Sequence, residues 1–411
     1  MNYELFIAKR IINAKKRKNS VSSPIIKISI LAIAIGIIVM LFSVATGVGL
    51  QKKIKEKISG FNGDIQISNY DANNSKVTVI PVSKDQNFYP EFTEIPNVKK
   101  VQVFATKAGI IRTPNEFEGI ILKGVDAGYN WAFFTEYLAD GKMPDLGGKI
   151  SNEVLISDKT AKRLGLKVSD NFHMFFVKDN PNRAPNSRKF TVCGIYNSGF
   201  DEFDESFIIG DIRHIQKINK WQANEVGGFE VFIHDFDQLR TTGFEVYSSI
   251  DPTLNAYTIA EKFPSIFEWL SLFDTNIFVI IGIMILIAGI NMITALLVLI
   301  LERTQMIGIL KALGNSNWSI RKIFLYNAAF LIGKGLLWGN IIGLSLLFIQ
   351  KYFGVITLNP ETYYVSQAPV YLDFKHIILI NLGTLFLCLL MLLIPSLIVS
   401  KISPVKAIKF D

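Results

Sequence analysis

The sequence predicts a membrane protein that has four transmembrane helices and a large mixed α/β domain inserted between helices one and two. Hydrophobic residues make up 50% of the 411 residues, which is too many for an ordinary soluble domain. They are concentrated in four runs, and a long hydrophilic stretch separates the first run from the second. The runs are Ile28–Val48, Thr275–Leu301, Ile323–Ile349 and Ile377–Ser400.

Each run is long enough to cross the hydrocarbon core of a bilayer as a helix, which takes about 20 residues. Three of the runs contain no Asp, Glu, Lys or Arg, and the remaining run contains only Lys334. A lysine at that depth is costly unless it is paired, hydrated or extended toward the inner surface, and the sequence leaves these three explanations open. The predicted segments are therefore 1–27, 28–48, 49–274, 275–301, 302–322, 323–349, 350–376, 377–400 and 401–411.

The orientation follows from the Lys and Arg residues. Residues 1–27 contain seven of them against one acid, Glu4, so the positive-inside bias places this end in the cytoplasm. Four spans then return residues 401–411 to the cytoplasm and place the short basic segment 302–322 there as well. The first apolar run is too long for a signal peptide and has no cleavage site after it, so we interpret it as an uncleaved anchor.

Residues 49–274 predict a periplasmic domain that is large enough to bury its own core. From Ser265 the pattern becomes helical and continues into the second span, which predicts a helix that extends beyond the bilayer. Ser157 has the position of an N-cap and Gly165 that of a helix stop. Strand-like alternation occupies 60–68, 98–111, 119–125, 172–177, 190–196 and 229–234, and helical patterns occupy 157–164 and 211–218.

Three further features have structural interpretations. The acidic cluster at residues 201–205 is typical of a solvated surface, and Pro395 predicts a kink near the inner end of the fourth span. The tyrosines of the outer loop 350–376 are typical of the interfacial belt of a membrane. They are Tyr352, Tyr363, Tyr364 and Tyr371.

Several classes of site are excluded. The chain has no P-loop motif, so it is not expected to bind ATP or Mg itself or to be an enzyme, and any ATP hydrolysis belongs to a separate subunit. The four histidines have no metal-ligand spacing, so no metal site is expected. Cys193 and Cys388 are placed on a periplasmic domain and inside a span, so they cannot pair.

The segment 302–322 is charged, prone to form a helix and held between two spans. Ile307, Leu310 and Lys311 share one helix face, and Gly314 supplies a stop. Such a helix could press apolar side chains into a partner's groove, or it could be an ordinary cytoplasmic loop. The residues assigned to the first alternative, contact with an ATPase, are Glu302, Arg303, Ile307, Gly308, Leu310, Lys311 and Gly314.

Short stretches along essentially the whole chain resemble one family. The stretch Glu302–Gly314, which reads Glu-Arg-Thr-x-x-Ile-Gly-Ile-Leu-Lys-Ala-Leu-Gly, resembles the most specific motif of that family. Together the stretches resemble ABC-transporter permeases of the lipoprotein-releasing (LolC/LolE) type, within the MacB/FtsX superfamily. The others are Phe6–Arg10, Ala34–Ile37, Asp64–Ile67, Gly124–Asp126, Phe190–Tyr196, Ile394–Ser396 and Ile402–Ile408.

The resemblance implies a multi-pass permease subunit of the inner membrane that pairs with a second permease chain, identical or homologous, and with LolD-like ABC ATPase subunits that bind ATP and Mg. The implied cargo is an acylated lipoprotein, and no nucleic acid partner is implied. A periplasmic carrier is a further candidate partner, although the loop 178–189 is short where one subunit type has a longer hook. The residues assigned to a cargo cavity between the protomers are Ile33, Ile37, Met40, Ile283 and Ile290.

Two alternatives remain at this stage. One is a MacB-like efflux permease or an FtsX-like permease that transmits force to a periplasmic hydrolase and moves no cargo. The other is a membrane-anchored binding or sensor protein without an ATPase. Co-purification of an ATPase subunit would exclude the second alternative.

The topology leads to the first prediction. Cysteines introduced by Arg17→Cys and Val405→Cys should be shielded from an impermeant thiol reagent in intact cells, because both termini are expected in the cytoplasm. A cysteine introduced by Asn186→Cys should be labelled. Labelling of either terminus in sealed cells would contradict the four-span topology.

Overall fold

The computed structural model describes residues 3–13, 22–72, 75–113, 116–176 and 185–403, without the side chains of 12, 13, 22, 23 and 72. The chain forms two compact units. The helical unit consists of Met1–Gln51, Leu270–Thr357 and Gln367–Asp411, and the α/β unit consists of Lys52–Trp269 and Leu358–Ser366. Positions 17 and 405, used in the topology prediction, lie outside the described residues.

The elements of the described residues follow in chain order. The helices are α1 (Tyr3–Asn13), α2 (Ser22–Asn62), α3 (Ala132–Glu136), α4 (Asp158–Leu164), α5 (Asp201–Asp204), α6 (Ile212–Asn219), α7 (Leu239–Ser249), α8 (Ile259–Lys262), α9 (Pro264–Glu302), α10 (Thr304–Ala312), α11 (Asn317–Phe353), α12 (Pro360–Tyr363), α13 (Phe374–Leu392) and α14 (Ile398–Lys401). The strands are β1 (Ile65–Asn69), β2 (Val82–Ser83), β3 (Val98–Arg112), β4 (Phe117–Val125), β5 (Leu138–Gly141), β6 (Glu153–Ser157), β7 (Asn171–Phe176), β8 (Asn186–Tyr196), β9 (Phe207–Asp211), β10 (Glu225–Val226), β11 (Gly228–Ile233) and β12 (Leu254–Thr258).

Four helices are long and apolar enough to cross a membrane, and they contain the four predicted runs. They are Pro24–Asn62, Pro264–Glu302, Asn317–Phe353 and Phe374–Lys401. The predicted combination of four apolar helices with a mixed α/β domain is therefore confirmed. The helices α2 and α9 are longer than the predicted spans, and each contributes residues to both units.

Close packing of α2 on α11 organises the helical unit. Gly335 and Gly339 of α11 face Ile33 and Ile37 of α2. Gly343 lies one turn further along the same face of α11 and also faces α2. A Cβ atom at Gly335 would lie 2.7 Å from the Cβ of Ile33, and one at Gly339 would lie 2.8 Å from the Cβ of Ile37. Lipid offers no hydrophobic drive for helix association, so this close approach supplies the dispersion contact that holds the two helices together.

Polar contacts tie α13 to α11. The side-chain amides of Asn340 and Asn381 bond to each other in both directions, at 2.6 and 3.0 Å. Further along the chain, α13 ends at Leu392, before the 3₁₀ turn that begins at Pro395. The Leu393 carbonyl freed by this turn accepts hydrogen bonds from Arg321 at 3.2 Å and from the Ser396 hydroxyl at 2.6 Å. The interruption predicted at Pro395 is confirmed.

A closed ring of six strands forms the centre of the α/β unit, in the order β3-β4-β9-β6-β8-β7. The ring closes because β7 pairs with β3 as well as with β8. The first half of β3 pairs with β11, and the sheet continues through β1 to β12, while β5 is added beside β8. The long strand β3 therefore belongs to both the ring and the part of the sheet that extends from it.

The alternating patterns predict about half of the strands of this sheet. The patterns at 98–111, 119–125, 190–196 and 229–234 correspond to β3, β4, β8 and β11, and 172–177 corresponds to β7 as far as its described residues extend. The helix pattern at 157–164 is α4, which the Ser157 side chain caps by accepting the Thr160 N–H and which Gly165 ends with φ 65°. The strands β6 and β9 were missed because they are buried on both faces and therefore show no alternation.

Two interpretations from the sequence are corrected. Asp204 of the acidic cluster is buried and accepts bonds from the Ser198 hydroxyl at 2.6 Å and the Gly199 N–H at 3.1 Å, so it does not belong to a solvated surface. Burial raises the pKa of Asp204 to about 6. Tyr364 belongs to the α/β unit, where its ring stacks on Phe200, so it is not a free belt residue. The predicted loop 178–189 is described only from residue 185, and β8 begins at Asn186.

The close packing of α11 leads to the second prediction. Gly339→Ala should lower the free energy of unfolding in detergent by about 1–3 kcal/mol, because the new methyl group would overlap Ile37. The matched control is Gly333→Ala on the same helix, where an added Cβ would have no heavy atom within 4 Å. The control should be neutral or slightly stabilising. Equal stabilities of the two variants would contradict the packing argument.

Candidate functional site

The segment 302–322 contains a separate helix, α10, which begins at Thr304. The backbone of Arg303 leaves the helical region, with φ −109° and ψ 19°, and Glu302 is the last residue of α9. Glu302 therefore ends the preceding helix instead of opening α10. At the other end, Gly314 has φ 86° and follows the last turn of α10. The chain thus turns sharply on both sides of α10.

One face of α10 is packed into the helical unit. Ile307, Gly308 and Leu310 are buried, and the two aliphatic side chains belong to the same core as α2 and α11. The Lys311 amine donates to the carbonyl oxygens of Ser400 at 3.2 Å and Ile402 at 2.7 Å. Ile307 and Leu310 are therefore occupied within this chain, because the apolar stripe of a surface helix packs first on its own bundle.

The opposite face of α10 is open. Ile309 is 48% exposed and Leu313 is 77% exposed, and Trp318 at the start of α11 is 50% exposed. Gln305 and Ala312 are exposed on the same face. These five residues, Gln305, Ile309, Ala312, Leu313 and Trp318, are called the open face below. The sequence contained the signal, because positions 305, 309, 312 and 313 follow the i, i+4, i+7, i+8 pattern of one helix face.

The helix α1 is attached beside this segment. The Glu4 carboxylate accepts the Ser319 hydroxyl at 3.0 Å and lies 3.7 Å from the Lys322 amine. The Asn315 amide donates to the Tyr3 hydroxyl at 3.0 Å. The N-terminal helix therefore holds the loop between α10 and α11 in place without covering the exposed side chains of Ile309 and Leu313.

The residues assigned to a cargo cavity separate into two groups. Ile33, Ile37 and Met40 of α2 are buried in the core of the helical unit, so their side chains are occupied by packing within one chain. Ile283 and Ile290 of α9 are exposed and lie on a broad apolar face of that helix. Only the α9 residues are therefore accessible to a cargo or to a second chain.

Lys334 lies on the exposed side of α11 and points toward the N-terminal end of the helix. Its amine lies 4.7 Å from the centre of the Phe330 ring, one turn earlier. A cation over an aromatic face is attracted by the ring quadrupole, which lowers the cost of keeping the charge at this depth. Among the described residues, no acid forms an ion pair with it.

A second candidate site, missed by the sequence reasoning, lies in the α/β unit at the end of α2. Lys123 of β4 and Glu230 of β11 form an ion pair of 2.6 Å, with side chains that are 3% and 0% exposed. The Lys123 amine also donates to the carbonyl oxygen of Phe61, in the last turn of α2, and lies 4.6 Å from the Phe61 ring centre. Burial lowers the pKa of Lys123, and the adjacent Glu230 carboxylate opposes that shift.

This arrangement caps a helix end. The last carbonyl groups of a helix have no hydrogen-bond partner in the helix and carry partial negative charge. A buried cation at this end supplies a hydrogen-bond donor and also balances that charge. The Glu230 carboxylate also accepts the Gln102 amide at 2.9 Å, which joins β11 to β3. Gly63 follows α2 with φ 73°, and a Cβ there would lie 2.9 Å from the Cβ of Glu230. We call these residues, Phe61, Gly63, Gln102, Lys123 and Glu230, the α2 joint.

The signal for the joint was present in the sequence. A single lysine lies in the apolar strand Phe117–Val125, and a single glutamate lies in the apolar strand Gly228–Ile233. Opposite charges in the middle of two buried strands are expected to be partners, because an unpaired buried charge is very costly. The pattern did not reveal which two strands the sheet would bring together.

The described residues contain neither a metal-binding cluster nor a disulfide bond. Within the described ranges, no group of three or more His, Cys, Asp and Glu side chains could hold a metal ion. Cys193 and Cys388 are both free and buried.

Comparison with known proteins gives consistent matches. The model of the MacB-like periplasmic core domain matches residues 28–239, and the model of the FtsX-like permease C-terminal region matches residues 278–404. The lipoprotein-releasing system transmembrane protein LolC of Neisseria meningitidis is 24% identical over 99% of both chains. LolE of Haemophilus influenzae is 21% identical over 99% of both chains. The solved periplasmic region of MacB from Actinobacillus actinomycetemcomitans is 15% identical, covering 49% of this chain and 91% of its own with a TM-score of 0.32.

The α2 joint leads to the third prediction. Lys123→Met should lower the free energy of unfolding by about 3–5 kcal/mol, because it leaves the Glu230 charge buried without a partner. The double variant Lys123→Met/Glu230→Met should recover part of that loss. The control is Lys162→Met, which removes an exposed ion pair with Asp158 and should change stability by less than about 0.5 kcal/mol. Equal effects of Lys123→Met and Lys162→Met in chemical denaturation would contradict the role of the pair.

Proposed function

The chain belongs to the FtsX-like permeases that carry a MacB-like periplasmic core domain, and we propose that it is the permease subunit of an ATP-driven ABC transporter that extracts acylated lipoproteins from the inner membrane. The observation that carries this proposal is full-length similarity to relatives named lipoprotein-releasing system transmembrane proteins. That similarity favours lipoprotein release over the efflux and force-signalling alternatives. Delivery to the outer membrane would follow release.

An energy source is needed for such a reaction. Moving an acyl chain out of a bilayer costs about 0.8 kcal/mol for each CH₂ group, so a lipoprotein with several chains cannot leave at a useful rate without coupling to ATP. The sequence contains no P-loop, so LolD-like ATPase subunits would supply ATP and Mg binding. This permease chain would convert the closure of the ATPase subunits into movement of its own membrane helices.

The open face of α10 is the surface that we assign to the ATPase. Its exposed side chains, Ile309 and Leu313, are apolar, and the rest of α10 is held firmly by the buried face and by Lys311. A rigid helix that presents apolar anchors to a groove is a common mode of protein recognition. The assignment replaces Ile307 and Leu310, which are buried, with Ile309 and Leu313.

The covalent structure suggests how a push on α10 would be passed on. The helix α9 runs without interruption from Pro264 to Glu302, directly before α10. The exposed face of α9, which includes Ile283 and Ile290, is assigned to a second permease chain and to the acyl chains of the cargo. Both termini would be cytoplasmic, which places α10 on the same side of the membrane as ATP.

The fourth prediction tests the proposal and the assigned face together. Co-expressed with its ATPase in proteoliposomes, the wild-type chain should release an acylated reporter lipoprotein when ATP is added. Leu313→Asp should preserve membrane insertion and thermal stability but reduce ATPase association and release by at least about tenfold, because it puts a charge on a desolvated contact.

The matched control is Ile307→Asp, which introduces the same charge on the buried face of α10. It should destabilise the chain itself, since Ile307 belongs to the core of the helical unit. Absence of ATP-dependent release by the wild-type transporter would contradict the proposed function. Normal ATPase association of Leu313→Asp would contradict only the assignment of the open face.

A further inference from the structure

A cavity of about 200 Å³ lies within the α/β unit, beside the α2 joint. Phe61, Lys123 and Glu230 of that joint line its floor, and all three are buried. At its rim, the side chains of Lys76 and Glu202 are 54% and 39% exposed, so the cavity opens to solvent. A small molecule could therefore enter and be removed from water. We call this space the joint cavity.

The walls of the joint cavity are rich in aromatic side chains. Phe61 stacks on Phe203 with the ring centres 4.4 Å apart, and the Phe207 ring is tilted by 60° against Phe61 at 5.2 Å. Phe263 meets Phe203 edge to face, with the centres 5.8 Å apart. The rings thus lie at several angles, so a further aromatic ring could make edge-to-face or offset contacts with them. The lining aromatic residues are Phe61, Phe104, Phe203, Phe207, Tyr257 and Phe263.

The three glutamates that line the cavity already have partners within the α/β unit. Glu202 lies 3.3 Å from the Lys76 amine, and Glu230 lies 2.6 Å from the Lys123 amine. Glu261 caps α8, because its carboxylate accepts the N–H of the N-cap threonine at 2.8 Å and the hydroxyl of that residue at 2.9 Å. Two of the three lining lysines are therefore neutralised by a carboxylate, and the third carboxylate serves a helix end.

The remaining lysine, Lys262, forms no ion pair with any carboxylate among the described residues. Its amine donates to the side-chain oxygen of Gln66, which is a neutral acceptor. Burial lowers the pKa of Lys262 to about 8; the Glu230 charge opposes that shift, and the charges of Lys123 and Lys76 add to it. An ammonium group has three donors, so an anion beside Lys262 would supply both a further acceptor and the missing countercharge.

Volume and charge together define the ligand that fits. An apolar cavity of about 150 Å³ holds benzene, so the joint cavity has room for one ring with a short chain, about ten non-hydrogen atoms. A cationic ligand would find every lining carboxylate already occupied. A dianion would carry one charge more than Lys262 can match, close to three glutamates. A single carboxylate matches the single unpaired ammonium group.

We propose that the joint cavity is a binding site for a small aromatic monocarboxylate, whose ring lies among the phenylalanines and whose carboxylate accepts hydrogen bonds from the Lys262 amine. The site is separate from the release of lipoproteins, and its test does not depend on that activity. A bound ligand would stabilise the α/β unit, because only the folded unit brings Lys262 to the aromatic walls.

The test is a titration of the full chain in lipid nanodiscs, followed by saturation-transfer difference NMR of the ligand, with empty nanodiscs as the blank. Three compounds share a ring and a chain and differ in charge: 3-phenylpropionate, 3-phenylpropanol and 3-phenylpropylamine. The carboxylate should bind with a Kd of about 0.1–1 mM, in line with the binding energy available to so few atoms. The alcohol and the amine should bind at least about tenfold more weakly, because neither offers a charge that matches Lys262.

The first variant removes the charge and keeps the cavity. Lys262→Met should weaken binding of the carboxylate at least about tenfold and leave binding of the alcohol unchanged, so the alcohol also reports that the cavity is intact. The matched control is Lys217→Met, at an exposed lysine of α6 outside the cavity lining, which should behave as wild type. Equal affinity of the wild type for the carboxylate and the alcohol, or unchanged carboxylate binding in Lys262→Met, would overturn the inference.

A second variant fills the cavity and keeps its charges. Ser68 lies two residues after Gln66 on β1, and both line the cavity. Ser68→Phe should abolish binding of the carboxylate and of the alcohol, while thermal unfolding of the chain stays cooperative. Ser248→Phe, at an exposed serine of α7, should bind both compounds as the wild type does. Unchanged binding in Ser68→Phe, or no binding of 3-phenylpropionate to the wild type up to about 10 mM, would rule out the site.

Discussion

The buried ion pair of Lys123 and Glu230 is the interaction on which the arrangement of the α/β unit depends. The helix α2 must remain apolar along most of its length, yet it ends inside a folded domain, where its last carbonyl groups cannot reach water. The Lys123 amine satisfies the Phe61 carbonyl, and a lysine in that position requires the Glu230 carboxylate. Because Lys123 lies on β4 and Glu230 on β11, on either side of β3, the pair also fixes the sheet around the helix end. One charged contact therefore caps the helix end and joins two of the strands beside it.

The two units meet the same requirement for satisfied polar groups by different means. In the helical unit, glycines allow α2 and α11 to approach closely, and the few polar side chains bond to each other or to freed carbonyl groups, as Asn340 and Arg321 do. In the α/β unit, buried polar groups such as Asp204 and Lys57 bond mainly to backbone atoms of loops and helix ends. Lipid does not drive apolar surfaces together, so close van der Waals contact is the main stabilising contribution in the helical unit. In the α/β unit, the main contribution is the burial of apolar surface away from water.

The division of α10 into two faces bears on the role proposed for this helix. The buried face joins α10 to the core of the helical unit, and Lys311 fixes the chain after α14 to it. Under the proposed function, the open face would bind the ATPase, and a load applied at Leu313 would pass to the whole bundle instead of bending a loop.

The sequence by itself determined the four apolar helices, the alternating strands of the α/β unit, the capped helix at Ser157 and the position of α10. These features depend on local periodicity and on capping residues, which are read from neighbouring positions. It did not determine which face of α10 would be buried, because Ile307 and Ile309 are equally apolar and only the bundle decides between them. It also left β6 and β9 unseen, since strands buried on both faces lose their alternation. Tertiary structure alone brought Lys123 to Glu230 and Tyr364 to Phe200, because a charge or a ring acquires its partner only when distant segments of the chain pack together.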